Sequence, residues 1–194
     1  MQQLANVLAE MLVKEQVINK QDKVIYAYGL QLLLTSGLTS IVILIIGCCT
    51  HQLLGTICFL MALISLRHYT GGYHASSYLK CFLLSNSIYL GMLLSKHFIP
   101  YEDFQQMMIV GSLLTSAYIF YIGSINSQKN PKTEAEMTYR KRVARCLTLL
   151  FTLTIGVITV GWKEGLSLAW ILFYTQVVTV IGIWSVQNKR RNEE

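Results

Sequence analysis

The sequence predicts an all-α integral membrane protein, with six transmembrane helices, an N-terminal amphipathic interfacial helix and both termini cytoplasmic. Three observations carry this prediction. Of the 194 residues, 53% are hydrophobic and only 13% are charged, against about 25% charged in a soluble domain, and the mean hydropathy is +0.46. Six apolar runs, at 24–47, 52–66, 79–94, 107–125, 143–161 and 166–186, approach the ~20 residues that cross a bilayer. Lys and Arg fall almost entirely on one side of those runs. The runs follow one another closely, so one membrane-embedded domain over 1–194 is predicted: an amphipathic helix at 1–23, a six-helix bundle at 24–186 and a basic-acidic tail at 187–194.

In the first segment Leu4, Leu8, Met11, Leu12, Glu15 and Ile18 recur mostly at three- and four-residue steps, the pattern of an amphipathic helix. Two placements satisfy it, on the membrane surface or packed on the bundle. Residues 1–22 lack a basic start followed by an apolar core and do not read as a cleavable signal. The second and third runs are the short ones, and a polar insert at 67–81 joins them.

Assigning the 16 Lys and Arg residues to alternate sides places 14 on one face: Lys14, Lys20 and Lys23; Arg67 and Lys80; Lys129, Lys132, Arg140, Lys141, Arg142 and Arg145; Lys189, Arg190 and Arg191. The opposite face keeps Lys96 and Lys163. The positive-inside rule therefore makes the termini, the insert and the 129–145 loop cytoplasmic. Such charge retains loops during insertion, and it equally suits anionic membrane lipids or an acidic peptide. Nucleic acid is excluded as a partner, because the basic residues lie against the membrane with no recognition motif beside them.

Cys48, Cys49, Cys58, Cys81 and Cys146 form an odd set without CxxC spacing, so no disulfide framework is expected. Cys81 is the candidate nucleophile and His74 the candidate base: a thiol reacts as its thiolate, and an imidazole accepts the proton and stabilises the anion. A straight helix would hold residues seven apart on one face but ~10.5 Å apart along its axis. A working pair needs contact at about 2.6–3.2 Å, so the chain near 71–77 is expected to bend. Gly71 and Gly72 ease such a path; they serve either as an ordinary turn or as backbone donors to an oxyanion. His68 competes as base, as an interfacial anchor beside Arg67, or as a zinc ligand with His74 and Cys81, although no fourth ligand is evident. No carboxylate lies between Asp22 and Glu102, so an orienting group would be Ser76, Ser77, Asn86 or a backbone carbonyl.

The pattern Arg67-His68-x-x-Gly71-Gly72-x-His74-Ala75-x5-Cys81 resembles the signature of AgrB, the membrane-embedded cysteine peptidase family of Gram-positive peptide quorum sensing. Lys129-Asn130-Pro131, Glu134, Glu136 and the cluster from Arg140 to Arg142 are similar to that family's basic cytoplasmic loop. The resemblance implies a multi-pass protein of the cell membrane in which His74 and Cys81 are the catalytic pair, facing the cytoplasm, with no cofactor or metal. It implies an AgrD-like propeptide as substrate, cleaved on the C-terminal side of its pheromone segment through an acyl-enzyme thioester that closes to a thiolactone or lactone. A homodimer is also implied. Arg67, Lys129, Lys132, Arg140, Lys141 and Arg142 are then candidates to hold the acidic tail of the propeptide. The main rival is a small peptide exporter without covalent catalysis; a sensor binding a ligand through His68 and His74 is a third reading. The six runs contain no acidic residue, as a charged transport path would, which favours the enzyme.

Overall fold

The computed structural model describes residues 2–71, 78–100, 102–125 and 133–191, apart from the side chains of Tyr78 and Arg190. Among them are seven α-helices: α1 (Gln2–Lys14), α2 (Lys23–Cys49), α3 (Leu53–Thr70), α4 (Tyr78–Phe98), α5 (Gln105–Ile122), α6 (Glu134–Gly161) and α7 (Leu166–Arg191). Four described segments are long and apolar enough to cross a membrane: Lys20–Cys49, Leu53–Thr70, Glu134–Gly161 and Lys163–Lys189. The remaining two long helices are not among these four; α4 carries Lys80, Ser85, Asn86, Ser87 and Lys96, and the short α5 opens on two glutamines.

Polarity is distributed inside out. Leu54, Leu153, Val157 and Val160 point outward, Val160 being 85% exposed, while Gln176, Thr148 and Thr56 are fully buried. Lipid is the solvent that makes this arrangement favourable, because apolar surface costs nothing there and polar side chains find partners only inside. Gln176 of α7 accepts from Thr115 Oγ1 of α5 at 3.0 Å and donates to Thr152 Oγ1 of α6 at 3.1 Å. Thr152 meets Ser116 Oγ at 2.5 Å. One amide thereby ties three helices.

α7 is the hub of the bundle, packing on α3, α4, α5 and α6. One core cluster joins Ile43, Phe59, Leu63, Tyr89, Met92 and Ile171 from α2, α3, α4 and α7; another joins Met108, Ile155, Trp170 and neighbours from α5, α6 and α7. Close approach depends on small residues. A Cβ on Gly111 would stand 2.6 Å from the Phe173 ring, and one on Gly91 would stand 2.8 Å from the Tyr174 hydroxyl, which itself donates to Ile88 O at 3.0 Å.

Several helix ends depart from the apolar runs, α4 running on to Phe98 and three others bearing on the site and its flanks. Arg67, His68, Tyr69 and Thr70 form the last turn of α3 rather than a loop, since long cationic and aromatic side chains reach polar surroundings from a helix end. α6 starts at Glu134, not at 143, because Thr133 and Glu136 build a capping box, with Thr133 Oγ1 accepting from Glu136 N at 3.4 Å and Glu136 Oε2 from Thr133 N at 3.3 Å. Thus Arg140, Lys141, Arg142 and Arg145 of the expected loop stand on a helix. α7 likewise continues past 186 to Arg191, taking up much of the tail.

α1 packs on α2 through Ala5 and Ala9, both fully buried, while Leu4 and Met11 of the expected apolar face stay exposed. Lys23 Nζ donates to Glu10 Oε1 at 2.6 Å. That hydrogen bond, and then the ammonium charge, hold the Glu10 carboxyl below its ordinary 4.5. A depressed carboxyl contributes stability that is present above its unfolded pKa and lost as pH falls through the folded one. Amide exchange in α1, corrected for its intrinsic pH dependence, is therefore expected to rise modestly below about pH 4. Glu10→Gln should abolish that step, and an identical step in the variant would contradict it.

Candidate active site at the break between α3 and α4

α3 stops at Gly71, whose φ of 70° and ψ of 145° lie where side-chain-bearing residues are strained. The stop is fastened from outside. Thr70 O accepts from Ile125 N at 2.8 Å, just beyond α5, and a Cβ on Gly71 would come within 2.6 Å of Ile125 O. Gly123, with φ 72° and ψ −114°, turns the chain after α5 while its N–H donates to Ile119 O at 2.7 Å. The Thr70 hydroxyl donates back to Leu66 O at 2.8 Å. From α6, the Arg140 guanidinium donates to His68 O, and Tyr139 meets Tyr69 edge to face at 6.5 Å between ring centroids. The end of α3 is therefore clamped between α5 and α6.

α4 resumes the helix at Tyr78 and carries Cys81 in its first turn, half-buried. The described part of the expected bend is the stop of α3 at Gly71; residues 72–77, where the rest of it is expected, lie outside the described residues. His74 and Gly72, with Lys129 and Lys132, lie outside the described residues. The candidate zinc set of His68, His74 and Cys81 shares that limit through His74. Arg67, Thr70 and Gly71 line a cavity of about 60 Å³ that opens between α3, α4 and α7. Leu84 and Ile88 line the same cavity, so it lies along the face of α4 that carries Cys81, three and seven residues on.

Cations gather at this end of the bundle, where the last turn of α3 meets the start of α6 through His68 with Arg140 and Tyr69 with Tyr139. Arg145 Nε donates to Phe120 O at 3.1 Å, and its guanidinium lies 5.0 Å from the centroid of the Phe120 ring. Lys141, Arg142, Arg145 and Thr138 border a groove of about 320 Å³ beside Phe120. Cys146 opens onto this groove and is exposed. Sequence reasoning passed over it, yet Arg142 stands one helical turn before it, a spacing that does signal a thiol among cations. The other three cysteines are more remote from this chemistry: Cys48 and Cys49 end α2, and Cys58 lies in the second turn of α3.

An all-helical fold with membrane-crossing helices, a glycine-stopped break and a thiol at the cation-rich end define a helical membrane protein with a polar site at one end of its bundle. The chain belongs to the AgrB family: the model of that family, Accessory gene regulator B, matches residues 5–186. It is 27% identical over 173 residues to AgrB-like protein 2 of Clostridium perfringens strain 13, covering 86% of this chain and 81% of that relative. An AgrB-like protein of Clostridium perfringens strain SM101 is also 27% identical, over 85% of this chain and 80% of its own length. No solved structure matches. Family membership places the protein in peptide processing for accessory gene regulator quorum sensing.

Proposed function

We propose that this chain is a membrane-embedded cysteine endopeptidase that cleaves an AgrD-like propeptide and passes the acyl group on to ring closure. The observation that carries the reading is Cys81 in the first turn of α4, on the far side of the Gly71 stop of α3, in a chain of the AgrB family. Six helices, α2 to α7, cross the cell membrane as a single multi-pass domain, with both termini and the site at the cytoplasmic side. The protein works as a homodimer in contact with membrane lipids.

In this reading His74 takes the Cys81 proton as sulfur attacks the carbonyl at the end of the pheromone segment. His74 then gives that proton to the departing amine of the acidic tail, leaving a thioester on Cys81. An internal cysteine thiolate of the substrate attacks the thioester carbonyl, Cys81 leaves as thiolate, and a thiolactone results; a serine would give a lactone. Backbone N–H groups at Gly71 and Gly72 receive the oxyanion. Exchange of one thioester for another keeps the acyl group activated, and a recessed site disfavours its loss to water.

Arg67, Lys129, Lys132, Arg140, Lys141 and Arg142 attract the acidic tail. Arg140 is also bonded to His68 O, so Lys141 and Arg142 test the charge with least disturbance of the fold. Exchanging both for Gln should raise KM about tenfold at low salt with little change in kcat, and the difference should shrink at 1 M salt, where the Debye length is ~3 Å. Equal KM values for the two proteins at low salt would reduce these cations to a topological role.

The function itself is tested with protein reconstituted in liposomes and propeptide added outside. Appearance of free tail and a cyclic peptide, resolved by mass spectrometry, is expected. Intact propeptide accumulating in the lumen, with no bond cleaved, would establish the exporter instead.

A further inference from the structure

The cavity below Cys81 has no role in the account above. Its walls are mainly aliphatic, with Leu63 from α3, Leu84 and Ile88 from α4 and Val178 from α7, and Arg67, Thr70 and Thr179 also border it. Its volume of about 60 Å³ exceeds several-fold the ~10–15 Å³ that one water needs. That room suits an apolar group of a few carbons. Leu84 and Ile88 lie ~4.5 and ~10.5 Å along α4 from Cys81 on the same face, and the side chain of a residue whose carbonyl is under attack starts one bond from that carbonyl. The backbone of Gly182 forms part of the opposite wall, and a Cβ built there meets no atom within 4 Å. Glycine at this position leaves the space open.

We infer that this cavity is the specificity pocket of the enzyme, receiving the side chain of the substrate residue whose carbonyl Cys81 attacks, and that it selects a mid-sized aliphatic side chain. The inference rests on Cys81 being the nucleophile. It assigns the choice of cleavage position to Leu63, Leu84, Ile88, Val178 and Gly182, leaving the cationic face to hold the tail.

The test uses acetyl-aminoacyl chloromethyl ketones carrying Gly, Ala, Leu or Phe beside the reactive group, applied to the full chain in nanodiscs. A thiolate sulfur displaces chloride from the chloromethyl carbon, the thiol proton goes to buffer, and mass spectrometry of peptides gives the alkylation rate at each cysteine. Cys146, exposed in its groove, reports the intrinsic reactivity of each reagent. Relative to Cys146, Cys81 is expected to react about tenfold or more faster with the Leu reagent than with the Gly reagent. Gly182→Leu should collapse that ratio to within about threefold, and Ile88→Ala should shift the preference toward Phe. If Gly182→Leu fails to fold, as judged by size-exclusion chromatography, Ile88→Ala carries the test. Equal reagent profiles at Cys81 and Cys146, or a Cys81 profile unmoved by the folded variants, would overturn the pocket. Because alkylation needs no turnover, absent propeptide cleavage alongside a responsive Cys81 profile would overturn the endopeptidase reading and with it the pocket's role in cleavage, leaving a cavity that selects aliphatic groups beside Cys81. Cleavage with an unresponsive profile would overturn the pocket alone.

Discussion

Cys81→Ala is expected to reduce release of the propeptide tail to background, a loss of about a thousandfold or more, with the protein still folded and membrane-inserted. Covalent catalysis has no substitute for its nucleophile, and what survives such a deletion is binding and oxyanion stabilisation alone. Cys81→Ser is expected to be nearly as inactive, since a hydroxyl is far harder to deprotonate than a thiol. His74→Ala should fall with it, because residues that act as a unit lose activity together. The control with most force is Cys146→Ala. This thiol lies among Lys141, Arg142 and Arg145 at the same end of the bundle, and processing is expected to stay within about twofold of the parent. Loss of processing in Cys146→Ala with survival in Cys81→Ala would transfer the nucleophile to α6.

Gly71→Ala is expected to destabilise the protein by about 3 kcal/mol and to depress processing in parallel. Two effects add there. At φ 70° and ψ 145° a Cβ is strained by its own backbone, and the same Cβ would be driven to 2.6 Å from Ile125 O. That oxygen is fixed, since the neighbouring Ile125 N donates to Thr70 O. Relief requires the end of α3 to part from the segment after α5, which disturbs the His68 and Arg140 contact and the approach to Cys81 together. Gly156→Ala is the matched control: it lies inside α6, a Cβ there meets nothing within 4 Å, and alanine is the better helix former. Thermal unfolding in detergent should show a clear fall for the first and none for the second. Equal midpoints would contradict the clamp between α3 and α5.

Four of the six apolar runs, 24–47, 52–66, 143–161 and 166–186, match helices long and apolar enough to cross a membrane, and these were readable because lipid imposes a length and a composition on whatever crosses it. The bounds were less so. Arg67 and His68 look like loop residues by polarity, yet they complete a helix turn that Gly71, not the charge, brings to an end. The Thr133-x-x-Glu136 capping box was present in the sequence but sat outside the apolar run that was used to place the helix start. On α1 the large apolar residues dominate the periodicity, whereas packing on α2 selects Ala5 and Ala9, whose small size permits close approach. At the site, Cys81 stood out through its local pattern with Gly71 and His74. The contacts that clamp the end of α3, from Thr70 to Ile125 and from His68 to Arg140, join parts of the chain remote in sequence and have no local signature. Cys146 had a local signal in Arg142 one turn before it, but its groove, which needs Phe120 of α5 as the other wall, had none.

The most direct measurement is intact-protein and peptide-mapping mass spectrometry of the reconstituted protein with a propeptide whose ring-closing cysteine is replaced by alanine, so that the acyl group has no internal acceptor. The account predicts a hydroxylamine-labile adduct with the mass of the pheromone-bearing fragment, confined to Cys81 and absent in Cys81→Ala. An adduct on Cys146, or tail release that persists in Cys81→Ala, would contradict it.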